Sequence, residues 1–133
     1  MNKKVLIVSS NYYKEVSKNL ELGSTKTLSE NNFDYNIINA PGCFEIPFLI
    51  KKNIKLYDAF LALGCVIRGE TYHFELIANE TSRKIMDLSI DYNVPIGFGI
   101  LTCNNLEQAL IRSDINIKNK GRETALACIE LLQ

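Results

Sequence analysis

His73 is the only histidine in the chain, and among its side chains the one whose ordinary pKa, roughly 6.5, suits passing protons near neutrality. It stands two residues after Gly69-Glu70-Thr71, a triplet expected to join a strand to the longest helix. At such a junction the backbone N–H groups, the Thr71 hydroxyl and the helix dipole can converge on a small anion, a single phosphate or carboxylate. The plainer alternative is that Thr71 only caps the helix and that His73 is structural. Beside an anion site at a strand's carboxyl end, however, an imidazole is placed to act as general acid or base.

Other residues could serve the same chemistry. Glu45, in Pro41-Gly42-Cys43-Phe44-Glu45-Ile46-Pro47, falls near a helix start, where its carboxylate can accept hydrogen bonds from polyol hydroxyls or simply answer the helix dipole. Tyr12 and Tyr13, at the mouth of the first strand, can offer a ring to a planar heterocycle or just cover a loop. Arg112, ending one helix, and Lys120, opening another in Asn119-Lys120-Gly121, can neutralise an anion and a polarised carbonyl, or remain solvated charges. Both lie well beyond the fourth strand, so meeting the other loops is expected to require a second copy of the chain.

The elements that must position these residues follow from periodicity. Val5 to Val8 is a short apolar strand, after which Val16, Leu20, Gly23, Thr27 and Leu28 recur at helical spacing. Tyr35 to Asn39 is a second strand, and Phe44 to Lys52 a helix with Pro47 in its first turn, where proline is tolerated. Tyr57 to Ile67 is a third strand, followed by a long helix striped by Phe74, Ile77, Ile85 and Leu88 that ends before Asn93 and Pro95. Val94 to Leu101 is a fourth strand, thinned by Gly97 and Gly99. Leu106, Ala109 and Leu110 mark one last helix, and Ala125, Cys128, Ile129 and Leu132 another.

Strands apolar on both faces, alternating with helices, predict an α/β fold: a three-layer α/β/α sandwich with a four-stranded parallel sheet and right-handed crossovers. At 133 residues and 47% apolar, with no repeat or linker, residues 1–133 are expected to form one domain. Ligands in such sheets gather at the strands' carboxyl ends. The loops that matter therefore begin at Ser9, Asn39, Cys65 and Leu101.

Composition removes several classes of function. Fifteen basic residues balance fifteen acidic ones with no like-charge block, so nucleic acid and membrane surfaces are not expected partners. Met1-Asn2-Lys3-Lys4 is basic, but Val5 to Val8 is too short for a secretory h-region. The longest apolar run, Ala59 to Ile67, falls far short of the roughly 20 residues of a membrane helix. A cytoplasmic protein is expected. Cys43, Cys65, Cys103 and Cys128 are scattered through apolar segments without a Cys-x-x-Cys, which predicts buried, reduced thiols and no metal site.

Nucleotide motifs also fail. Gly64 to Thr71 has P-loop glycine spacing, but Glu70 occupies the position of the phosphate-binding lysine. Gly97-Phe98-Gly99 lacks the third glycine of a dinucleotide fingerprint and comes too late in the chain. Ser9 to Tyr13 has neither a glycine turn for a flavin phosphate nor the acidic pair of a signalling receiver. No Gly-x-Ser-x-Gly is present.

Pro41-Gly42-Cys43-Phe44-Glu45-Ile46-Pro47 together with Leu63-Gly64-Cys65-Val66-Ile67-Arg68-Gly69-Glu70-Thr71-Tyr72-His73-Phe74-Glu75 resembles the lumazine synthase (6,7-dimethyl-8-ribityllumazine synthase) family. Val94 to Thr102, Glu107-Gln108-Ala109 through Arg112, and Asn119-Lys120-Gly121 continue the match in order, over nearly the whole chain. The resemblance implies a flavodoxin-like fold and a transferase of riboflavin biosynthesis. That enzyme condenses 5-amino-6-(D-ribitylamino)uracil with 3,4-dihydroxy-2-butanone 4-phosphate, without metal or organic cofactor.

By the same resemblance, Tyr12 would stack on the pyrimidine, and Cys43, Phe44 and Glu45 would hold the ribityl chain. The main chain of Cys65, Val66 and Ile67 would hold the pyrimidine edge. Glu70, Thr71 and the helix N-terminus would receive the phosphate, with Arg112 as its counter-charge, and His73 would move protons. Phe98, Arg112 and Lys120 would reach a neighbouring subunit's site, so the expected partner is a second copy in a homo-oligomeric ring of five. Tyr12 stands where phenylalanine or tryptophan is usual, after Asn11 rather than arginine. A shorter N-terminus and Asp114-Ile115-Asn116-Ile117 in place of a Gly-rich turn argue against a sixty-subunit shell and leave the pentamer. Two rivals are an archaeal-type riboflavin synthase, which has no use for a phosphate site, and a silent flavin-binding relative.

Overall fold

A computed structural model describes residues 2–133; Met1, the first residue of the basic N-terminal stretch, lies outside them. The chain runs β1 (Lys4–Ser10), α1 (Lys14–Glu30), β2 (Asp34–Ala40), a 3-10 turn (Cys43–Glu45), α2 (Ile46–Lys52) and β3 (Ala59–Ile67). It continues through α3 (His73–Asp91), β4 (Ile96–Cys103), α4 (Leu106–Ser113) and α5 (Lys120–Leu132). All strand pairs are parallel, in the order β2-β1-β3-β4. This is the flavodoxin-like order without a fifth strand, and it reverses direction between β1 and β3.

Each face of the sheet carries its own apolar core, as the two-residue period of a strand requires. Val5 and Ile7 of β1, Leu61 and Leu63 of β3, and Leu101 of β4 meet Val16 and Leu20 of α1 and Ala125, Cys128 and Ile129 of α5. Leu6, Val8, Phe60, Ala62 and Ile100 point the other way, against Ile46 and Ile50 of α2 and Phe74, Ile85 and Leu88 of α3. Phe60, Leu61 and Leu63 are fully buried; each contributes about 1.5–3 kcal/mol relative to exposure. Strand β3 is the spine, covered on both sides along almost its whole length.

The glycines that thin β4 make room for α5. A Cβ at Gly97 would lie 2.7 Å from the Thr124 carbonyl oxygen, and one at Gly99 would lie 2.6 Å from the Thr124 hydroxyl. Gly121 serves the same end at the α1–α5 crossing, where a Cβ would collide with the Leu20 carbonyl. Asn93, after α3, takes a left-handed φ of 52°, which ends the helix before Pro95.

Strands β1 and β2 extend one or two residues beyond the expected Val5 to Val8 and Tyr35 to Asn39, and other boundaries differ for physical reasons. Cys43–Glu45 forms a 3-10 turn and α2 starts only at Ile46, with Pro47 in its first turn. Strand β3 begins at Ala59 rather than Tyr57, because Asp58 turns its carboxylate back to accept the Lys4 N–H at 2.8 Å. Strand β4 runs from Ile96 to Cys103 rather than from Val94 to Leu101, since Pro95 has no N–H and offers the ladder only its carbonyl, to Phe60 N–H at 3.0 Å. No described helix is long and apolar enough to cross a membrane.

Candidate functional site

At the carboxyl ends of β1 and β3, where the strand order reverses, lies a cavity of about 510 Å³, a size that suits a small organic ligand. The end of β1 and the loop after it deliver Ser10, Tyr12 and Tyr13; the segment after β2 delivers Cys43, Phe44 and Glu45; β3 delivers Cys65, Val66 and Ile67; and α3 delivers His73. Three strand-to-helix connections far apart in sequence thus meet because parallel strands all present their carboxyl ends on one side.

Tyr12 is 74% exposed and stands edge-on to Tyr13, with ring centroids 5.0 Å apart at 79°. Tyr13 packs back onto the core, and burial, foremost, raises its phenol pKa. One ring is therefore anchored and the other left open on a face. Cys43 donates its thiol hydrogen to the Cys65 carbonyl at 3.8 Å, an approach that requires Gly64, where a Cβ would lie 2.7 Å from the sulfur. Burial pushes the Cys43 thiol up and the Cys65 thiol up to about 12, so both are neutral at physiological pH. These cysteines shape the wall and do not supply nucleophiles.

His73 opens α3, and its backbone N–H donates to Thr71 Oγ1 at 3.4 Å. Thr71 thus reaches the helix start, although the N-cap position itself belongs to Tyr72. Glu70 and Thr71 are exposed and stand outside the cavity wall, on the segment that leads to His73.

The remaining expected residues lie elsewhere. Phe98, Arg112 and Lys120 line a second cavity, of about 380 Å³, beside the edge strand β4. Lys118 joins them there. Its turn is tied by Asp114, whose Oδ1 accepts the Asn116 N–H at 2.8 Å and whose carbonyl accepts the Asn119 N–H at 2.9 Å. Asn119 then enters α5 with φ 45° and caps it, accepting the Arg122 N–H at 3.3 Å. Arg112 is steadied by donating to the Gln108 carbonyl at 3.2 Å, and Lys120 pairs with Glu123 at 3.4 Å.

The two cavities differ in charge. Among the described residues, those lining the first include Glu45 and His73 but neither lysine nor arginine, whereas the second gathers Arg112, Lys118 and Lys120 against a single carboxylate, Glu123. Sequence reasoning overlooked Ser10 and Lys118. Ser10 directly follows Ser9, where a site loop was expected to begin; Lys118 carried no motif, and only the Asp114 turn brings it to Lys120.

A family model described as 6,7-dimethyl-8-ribityllumazine synthase matches residues 2–133. Relatives bearing that name include a Bartonella bacilliformis protein, 44% identical over 98% of this chain and 91% of its own length. One from Bartonella henselae is 46% identical over 94% of this chain and 83% of its own length. One from Zymomonas mobilis is 45% identical, covering 96% of this chain and 93% of its own length.

Proposed function

The chain belongs to the 6,7-dimethyl-8-ribityllumazine synthase family, and on that premise we propose that the two cavities just described are halves of one active site, completed between neighbouring copies. The reaction condenses 5-amino-6-(D-ribitylamino)uracil with 3,4-dihydroxy-2-butanone 4-phosphate, giving the lumazine, phosphate and water in riboflavin biosynthesis. The observation that carries the shared site is the division of charge: the first cavity has groups for a neutral heterocycle and polyol, and the cations lie in the second. An anionic substrate needs both.

In this reading the open face of Tyr12 stacks on the pyrimidine while the β3 main chain at Cys65, Val66 and Ile67 holds its edge. Glu45 and the main chain of Cys43 and Phe44 hold the ribityl hydroxyls. The phosphate lands near Glu70 and Thr71 at the start of α3, where helix N–H groups favour it, and Arg112 from the neighbour supplies its counter-charge. Phe98 and Lys120 close the same junction. His73 moves protons during imine formation and phosphate elimination. Most of the rate comes from holding two reactants together, since oriented binding supplies several kcal/mol. Five copies in a ring give five such junctions. The free cysteines suit a cytoplasmic enzyme.

The test is direct. Purified protein given both substrates should produce lumazine absorbance and one phosphate per lumazine. Failure to release phosphate with lumazine, or no lumazine at all, overturns the reading.

A further inference from the structure

The segment between β3 and α3 is held by charge more than by packing. Gly69 to Tyr72 are exposed, and a Cβ at Gly69 would meet nothing within 4 Å. At its near end, Arg68 touches two separate parts of the fold, the end of β4 and the start of α3. Its backbone N–H donates to the Cys103 carbonyl at the end of β4, at 2.9 Å, and its Nε donates to Asn104 Oδ1 at 3.2 Å. Its Nη1 donates to the Glu75 carboxylate in the first turn of α3. The guanidinium also lies over the Phe74 ring, 4.5 Å from the centroid, a favourable cation–π placement. Arg68 therefore joins the ends of β3 and β4 to the start of α3, bracketing the residues that precede His73.

We propose that Arg68 and Glu75 form a positioning latch, setting the height of Gly69–Tyr72 over the start of α3 so that the phosphate-bearing substrate meets both the backbone donors and His73. The inference rests on the lumazine synthase reading of the cavity. Glu75 neutralises Arg68, so Arg68 is not the phosphate's counter-charge, and that task stays with Arg112. The Glu75 carboxyl is held below the usual carboxylate range by its own backbone N–H and by Arg68, which keeps the latch charged at neutral pH. With side chains 49% and 33% exposed, the pair adds little to global stability. Its effect is local, on where the loop sits.

Glu75→Gln, Arg68→Gln, the double variant and the conservative Glu75→Asp test the latch through steady-state kinetics and hydrogen exchange of residues 69–73 in the free protein. Glu75→Gln should raise KM for the phosphate-bearing ketone about five- to tenfold while KM for the pyrimidine stays within about twofold. Amide exchange across 69–73 should quicken with the thermal midpoint nearly unchanged. The double variant should be no more impaired than Arg68→Gln, which also loses the Asn104 and Phe74 contacts, and Glu75→Asp should recover most of the lost affinity. The latch is overturned if both KM values rise together, if neither moves, or if the single effects add. Should the wild-type protein make no lumazine, the proposed reaction fails on that ground, and the exchange data still decide: faster exchange in Glu75→Gln upholds the latch and unchanged exchange overturns it.

Discussion

The side chains of the first cavity divide into those that hold shape and those left free to act. Tyr13, Cys43 and Cys65 are packed or buried and uncharged, whereas Tyr12 and His73 face outward. On the proposed reading, in which orientation of two substrates supplies most of the acceleration, His73→Ala should lower kcat by about a hundredfold or less and leave measurable turnover. Complete loss with intact substrate binding would contradict this. The buried thiols make a second prediction. Burial pushes Cys128 up to about 12 from an ordinary 9.0, so between about pH 9 and about 12 the unfolded chain releases a proton that the folded chain keeps. Unfolding therefore becomes easier as pH rises through that window. The denaturant midpoint should fall more steeply with pH for the wild-type protein than for Cys128→Ala, and parallel curves would refute the assignment. His73 and Glu45 were legible as residue types and the cysteines as buried thiols; which of Tyr12 and Tyr13 is packed and which is open was not, because it depends on elements distant in sequence.

At the scale of elements, the pattern of apolar residues was enough to place four strands and their helices, because a parallel sheet covered on both faces leaves near-continuous apolar runs. Ends were less legible. The 3-10 turn at Cys43–Glu45 has no periodic signal of its own, and the start of β3 depends on an Asp58–Lys4 contact across 54 residues. Gly97 and Gly99 looked like a weakness in β4, yet they are the floor on which Thr124 of α5 rests. Gly97→Ala should accordingly destabilise the fold by about 1–3 kcal/mol through overpacking against α5, seen as a lower thermal midpoint. An unchanged midpoint would mean that α5 moves away from β4 at little cost.

At the scale of the whole molecule, the proposed sharing of the site between the two cavities would make catalysis a property of a pair of copies. Glu45→Lys spoils the first half-site and Arg112→Glu the second, so each variant alone should be nearly inactive. Co-refolded in equal amounts, they should recover about a quarter of the sites, since random assembly then pairs an intact first half with an intact second half. Activity that stays at the level of the separate variants would place all the chemistry within one copy. Residue order alone was sufficient for the α/β class and for the family likeness, because hydrophobic period and motif spacing are local properties of a chain. The gathering of Ser10, Glu45, Ile67 and His73 around one cavity, and the separation of Arg112 and Lys120 into another, came from the β2-β1-β3-β4 strand order. Strand order sets distances between loops many residues apart, and those distances are settled by packing on two faces of a sheet.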